Sequence, residues 1–163
     1  MSSRSILFTF LILCSTAAIF GQTAAAKEKK SVSKVAKGTF VVKVVPQKDE
    51  AGIGHERIGR LSIAKTFAGD LIGTSAGQML GSQFEEEPGT GGYVAMEVVS
   101  GTLNGKKGSF SLQHIGTMDK NGYEMRIEIV PGSGTEELKG ISGSCKIEIK
   151  DGKHFYELDY QLP

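Results

Sequence analysis

The chain contains no tryptophan, only 4 prolines and only 2 cysteines. It has no paired Cys motif and no His residues at helical i,i+4 spacing, since His55, His114 and His154 stand far apart. That pattern offers no zinc site, and no metal or other cofactor is expected. There is no G-x-S-x-G, so a serine hydrolase has no anchor. Gly101 to Lys106 resembles the Gly-Lys end of a phosphate loop but is a residue short and leads into a strand pattern; Gly132 to Thr135 has no following helix pattern either. Charge of one sign is also missing. The net formal charge is +1, and no basic run interleaves with aromatics, which gives no reason to expect a nucleic-acid partner.

A long apolar run is lacking too. The one candidate, Ile6 to Leu13, follows Arg4 and precedes Ala24-Ala25-Ala26. It is too short to span a bilayer, which needs ~20 apolar residues. Positive flank, short apolar core and small-residue site together read as a signal peptide over residues 1–26, so the mature protein is expected to be secreted or periplasmic, with no stable membrane anchor. Cys14 does not make a good lipidation site, because Leu13 before it is not small. Cleavage after Ala26 removes Cys14 and leaves Cys145 without a disulfide partner. Cys145 is either a small buried hydrophobe or a free thiol; its phase with Ile147 and Ile149 favours burial. Stability then rests on a core, for which the remaining residues are numerous enough.

Residues 27–37 are lysine-rich and unpatterned, and read as a flexible linker to a single domain over 38–163. From Gly38 onward, apolar residues recur at period two and no 3.6-residue period follows the leader. Eight strands are expected near 39–46, 58–67, 70–79, 92–100, 108–117, 122–130, 144–150 and 153–162. Asn104-Gly105, Asn121-Gly122 and Asp151-Gly152 mark tight hairpin turns, which demand positive φ. Glu85-Glu86-Glu87 lies in a polar, Gly-rich break that reads as a solvated loop, or as a lid over a barrel mouth. The chain is therefore expected to be all-β: an eight-stranded antiparallel barrel, with a two-sheet sandwich as the alternative.

Strand parity picks out the polar residues that face inward. Lys65 is in phase with Ile63 and Phe67, Ser75 with Leu71 and Met79, His114 with Phe110 and Leu112, and Tyr156 and Tyr160 with Leu158. Glu97 is in phase with Ala95 and Val99, although Val94, Met96 and Val98 make its opposite face the more apolar one. A four-residue loop from Asn104 to Lys107 sets Glu97 directly opposite His114; a two-residue loop sets it opposite Leu112, with His114 a diagonal neighbour. A Glu–His pair in an apolar interior can serve as a general base with its orienting carboxylate, or as a structural ion pair. Lys65 and His114 are the partners a buried Glu97 needs.

The stretches GTFVVKVVPQ, IGRLSIAKTFAGDLIGTSAGQML, GGYVAMEVVSGTLNGKKGSFSLQHIGTMD, VPGSGTEELKGISGS and DGKHFYELDYQLP resemble a bacterial domain family of unknown function, similar in turn to the allene oxide cyclase-like and dirigent-like barrels. The resemblance covers Gly38 to Pro163. It implies the barrel, and reads Ile72, Ala76 and Val98 as outward, in support of Lys65, Ser75 and Glu97 as inward. It departs at Glu136, where the wider pattern has a glycine. It implies no activity, because fold does not carry function. The expected role is binding of a small apolar molecule with a polar handle, through Lys65, Ser75, Glu97, His114, Tyr156 and Tyr160. The alternatives are a cyclase or isomerase with Glu97 and His114 as acid and base, and a non-catalytic domain that forms a homo-oligomer through exposed apolar residues such as Ile72 and Val98.

Overall fold

The computed structural model describes residues 32–48, 54–83 and 87–163. The leader over 1–26, residues 27–31, and Glu85 and Glu86 of the expected lid lie outside them. Eight strands run in chain order: β1 (Lys34–Gln47), β2 (Gly59–Gly69), β3 (Leu71–Gln83), β4 (Gly91–Leu103), β5 (Lys106–Asp119), β6 (Gly122–Ile129), β7 (Ser142–Lys150) and β8 (Lys153–Gln161). Each pairs antiparallel with the next and β8 returns to β1, closing an up-and-down barrel. Closure removes the sheet edges that a sandwich leaves open. No helix among the described residues is long and apolar enough to cross a membrane.

Strand parity holds around the barrel. Phe40, Ile63, Phe67, Leu71, Ala95, Val99, Phe110, Leu112, Ile127 and Leu158 are buried inside, while Val41, Ile72, Val94, Met96 and Val98 are exposed outside. Two features differ from the sequence reading. β1 begins at Lys34, so the last four residues of the expected linker belong to the barrel. Ala36 is fully buried there, Lys37 pairs with Glu157 of β8 at 2.7 Å, and the Lys37 N–H donates to the Asp70 carboxylate. The lysines conceal this because an edge-closing strand with outward lysines lacks an apolar alternation. The β5–β6 turn is also shifted by one residue. Asp119 pairs with Gly122, so Lys120 and Asn121 are its centre, and the Asp119 carboxylate accepts the Asn121 N–H at 2.7 Å. Asn104-Gly105 and Asp151-Gly152 do adopt positive φ at both residues, as type I′ turns require.

The two ends of the barrel differ. At one end, residues 130–141 cross from β6 to β7 with a 3-10 turn at Glu136–Leu138 and insert Leu138 and Ile141 into the interior. This segment is stitched to β5: Ser111 N–H donates to Ser133 Oγ and Ser109 N–H to Thr135 Oγ1. Leu71, Leu103, Phe110 and Ile129 pack with Leu138 and Ile141 in one apolar cluster. At the other end β5–β6 and β7–β8 are tight turns, and no comparable plug enters among the described residues. Here the wall is also incomplete. β6 meets β7 at Ile127 opposite Cys145 and Glu128 opposite Ser144 alone, so their mouth-side halves are unpaired with each other among the described residues.

Candidate functional site

Halfway along the barrel axis, the inward face turns polar. β3 contributes the small residues Gly73, Ser75 and Gly77 in succession, which leaves room for long side chains from its neighbours β2 and β4. Gly77 lies opposite Glu97, and a Cβ there would stand 2.6 Å from both Glu97 Cα and Cβ. Glu97 is 1% exposed, yet it lacks nothing in hydrogen bonding. Its Oε1 accepts from Lys65 Nζ at 2.6 Å and lies 3.0 Å from His114 Nε2; its Oε2 accepts from Ser75 Oγ at 2.7 Å.

Burial alone would raise the Glu97 pKa. The His114 hydrogen bond, the Lys65 charge and hydrogen bond, and the Ser75 hydroxyl outweigh it and hold the carboxyl at about 2. An ionised carboxylate only accepts, so His114 Nε2 must carry its hydrogen. Lys65 also sits 5.1 Å from the centre of the Phe40 ring, a favourable place for an ammonium.

The register of the β4–β5 hairpin is that of the two-residue loop. Leu103 pairs with Lys106, Glu97 with Leu112 and Ala95 with His114. The four-residue loop is not formed, because Asn104 and Gly105 supply the whole turn. His114 reaches Glu97 diagonally across the pair, a separation its ring can bridge.

Above this polar layer lies a cavity of about 450 Å³. Its walls are Phe40, Val42, Val44, Ile63, Met79, Ala95, Met118, Met125, Ile147 and Ile149 with Tyr93, Tyr123 and His154 toward the mouth, and Lys65 and His114 line it as well. Tyr123 and Met125 of β6, and Ile147 and Ile149 of β7, flank the seam, so the cavity is bounded there by the halves of these strands that are not paired with each other. The Tyr123 hydroxyl donates to that of Tyr93 at 2.9 Å. Burial, with the Tyr123 hydroxyl beside it, pushes the Tyr93 phenol well above its usual range, so it stays protonated.

All six inward polar candidates are buried, but they separate by depth. Lys65 and His114 line the cavity; Glu97 and Ser75 lie behind them and bond to each other. Tyr156 and Tyr160 do not line the cavity. Their hydroxyls accept from Leu71 N–H at 2.8 Å and from Asn104 Nδ2 at 3.0 Å, bonds that tie the plugged half together. Parity identifies facing, not depth, so the sequence pattern alone does not separate the two tyrosines from the other four. His154 is a further inward residue, signalled in the sequence by its phase with Tyr156 and Leu158; its ring lies 5.0 Å from that of Phe40. No group of three His, Cys, Asp or Glu side chains suited to a metal occurs among the described residues. Cys145 is free and partly buried, and burial pushes its thiol up to about 12, so it is no thiolate nucleophile.

Comparison with known proteins agrees with this barrel and adds no activity. No curated protein matches the chain. A crystal structure of a protein of unknown function from the DUF3224 family of Shewanella oneidensis MR-1 is similar to it, at 38% identity over 81% of this chain and 99% of that one, with a TM-score of 0.73. The model of that family, described as protein of unknown function (DUF3224), matches residues 36–160. Barrel, inward polar layer and family match thus coincide over the same residues, and the chain belongs to the DUF3224 family.

Proposed function

We propose that this barrel is an exported protein that binds a small, largely apolar molecule in its mouth half, with Lys65 and His114 meeting the molecule's polar group. The observation that carries this reading is the cavity of about 450 Å³, apolar on its walls and polar where Lys65 and His114 stand. That combination of apolar enclosure and a few convergent polar groups is characteristic of small-molecule sites, which run from ~300 to ~1,000 Å³. Three methionines, Met79, Met118 and Met125, supply adaptable wall surface. Export rests on the leader pattern of residues 1–26. Native mass spectrometry of the protein purified from its own host tests both parts. A mature mass beginning near Lys27 and an organic adduct lost on denaturation are expected. A full-length mass overturns export, and an adduct-free protein that also fails to take up apolar probes overturns binding.

A cyclase or isomerase that uses Glu97 as acid or base draws less support. Glu97 is ionised, accepts three hydrogen bonds and stands off the cavity wall. A carboxylate held at about 2 is a weak base, and it has no proton to give near neutral pH.

A homo-oligomer is favoured by a separate observation. Ile72 and Val98 are 66% and 49% exposed, and Val98 continues into an apolar strip on the outer face of β3–β5. Leu80, Val94 and Ile115 form one row, Gln78, Met96 and Gln113 the next, and Ala76, Val98 and Ser111 the third. A two-fold axis along the middle row would set the bulky row of one copy against the small row of a second. Light scattering that returns a strict monomer at high concentration would remove this reading.

A further inference from the structure

We infer that the polar group of the cavity's ligand is an uncharged oxygen, a carbonyl or a hydroxyl, that accepts a hydrogen bond from Lys65, and that carboxylates and amines are selected against. This rests on the reading of the mouth cavity as a ligand site and specifies what that site takes.

The argument is a count of charges and hydrogens. Lys65 carries one positive charge and Glu97 one negative, 2.6 Å apart. The pair is neutral as a unit. Glu97 is also complete, because both its oxygens already accept hydrogen bonds and it does not line the cavity. At the floor of the cavity, away from Tyr93, Tyr123 and His154, the ligand therefore meets Lys65 and His114. An ammonium has three N–H donors and no acceptor. One of the Lys65 donors goes to Glu97, and the ammonium also lies over the aromatic face of Phe40. At least one donor is left on the cavity side. His114 donates through Nε2 to Glu97, and its Nδ1 is neither bonded to a described group nor sealed from solvent.

Each class of head group fares differently against that floor. A carbonyl accepts from Lys65 and brings no hydrogen that needs a partner. A hydroxyl accepts likewise, and its own hydrogen points toward the unbonded Nδ1 edge of His114. A carboxylate would compete with Glu97 for the Lys65 ammonium, which Glu97 already holds at 2.6 Å, and would set two buried carboxylates against that one ammonium. An amine would set an ammonium beside the Lys65 ammonium, like charge against like, with Glu97 screened behind the wall. Simple hydrocarbons leave the Lys65 donor without an acceptor and forgo the hydrogen bond.

The test uses the full mature chain and a series that shares one alkyl length: decane, 2-decanone, decanol, decanoate and decylamine. Each displaces an environment-sensitive apolar fluorophore from the protein at neutral pH. 2-Decanone and decanol are expected to bind at least ~10-fold more tightly than decane, the yield of one net hydrogen bond to a charged donor, and decanoate and decylamine more weakly than either. Decane binding as tightly as 2-decanone would overturn the head-group inference while leaving the apolar cavity standing. Tighter binding of decanoate or decylamine would overturn it in the same way. Failure of every member to bind would overturn the ligand-site reading itself.

A second measurement separates the Lys65 contact from general polarity. The infrared carbonyl band of bound 2-decanone should shift to lower frequency than in alkane solvent. Lys65→Met alone would strand Glu97, so it is combined with Glu97→Gln, which keeps an acceptor for His114 and a group for Ser75. The double variant is expected to fold, to bind 2-decanone no better than decane and to lose the band shift. Retention of the shift would show that Lys65 is not the donor.

Discussion

The plugged half and the mouth half of this barrel are built from the same strands with the same inward alternation, yet they do different things. In the plugged half Leu71, Leu103, Phe110 and Ile129 meet Leu138 and Ile141 from the β6–β7 connection, and even the tyrosine hydroxyls are engaged with Leu71 and Asn104. In the mouth half the inward residues face a cavity, and β6 and β7 part. The Glu97 layer is the boundary. Among the described residues, packing contacts are concentrated on one side of it, and the cavity wall lies on the other.

That contrast predicts where damage to stability falls. Removing the Glu97 charge with Glu97→Leu strands Lys65 in the interior and should destabilise the fold by about 3–5 kcal/mol, the usual result of breaking a buried pair from one side; urea unfolding measures it. Phe110→Ala in the plugged half should cost a similar ~3–5 kcal/mol through the cavity it leaves. Met79→Ala or Met125→Ala on the mouth wall should cost distinctly less, because these side chains already border empty space, while altering uptake of apolar probes. Equal losses in the two halves would mean that the division has been drawn wrongly.

Acid should act through the boundary layer. The folded-state pKa of Glu97, about 2, lies below its ordinary 4.5. Its stabilising contribution is therefore present above the ordinary value and is lost as pH falls from about 4.5 toward 2, on the order of 3 kcal/mol in all. Glu97→Gln should flatten that acid limb of the stability curve. A wild-type curve with no acid limb in that window would contradict the ionised assignment.

Backbone dynamics give a smaller effect. Hydrogen exchange should be fastest on the seam-facing amides of β6 and β7 near the mouth, where ladder bonds are absent, and slowest along β4–β5, which pairs from Gly91 opposite Met118 to Leu103 opposite Lys106. Occupation of the cavity by a ligand should slow exchange at the seam and leave β4–β5 unchanged. The smallest effect is expected at Glu136, which holds φ 49° within the plug connection, where glycine is the unstrained residue. Glu136→Gly should be neutral or stabilise by less than ~1 kcal/mol, since relief of strain is offset by a more mobile unfolded chain. A large loss would show that the Glu136 side chain matters.

Much of the barrel is legible in the sequence. Eight alternating segments separated by turn residues leave few architectures, and all six polar candidates do face inward. Glu97 was the hardest of them, because Val94, Met96 and Val98 outnumber its own face in apolar character and yet are exposed. The hairpin register was open between two loop lengths. Asn-Gly suits the centre of a two-residue turn, but Lys106 and Lys107 read equally well as loop or strand, and only the pairing of Leu103 with Lys106 resolves them. The start of β1 was hidden for a similar reason: Lys34 and Lys37 are polar, while their partners Tyr160 and Glu157 come from the far end of the chain.

The inward identity of Lys65, Ser75, Glu97, His114, Tyr156 and Tyr160 follows from local chemistry, because side chains in a strand alternate every residue whatever the strand pairs with. Their division into an ion-paired layer, two cavity-lining groups and two plug-locking tyrosines does not. Depth along the axis is set by barrel closure and by which connection folds into which end. Leu138 and Ile141 seal one end from a segment with no strand pattern, and Glu97 gathers Lys65, Ser75 and His114 from three other strands. Those meetings join residues far apart in the chain, and they exist only once the sheet has closed on itself.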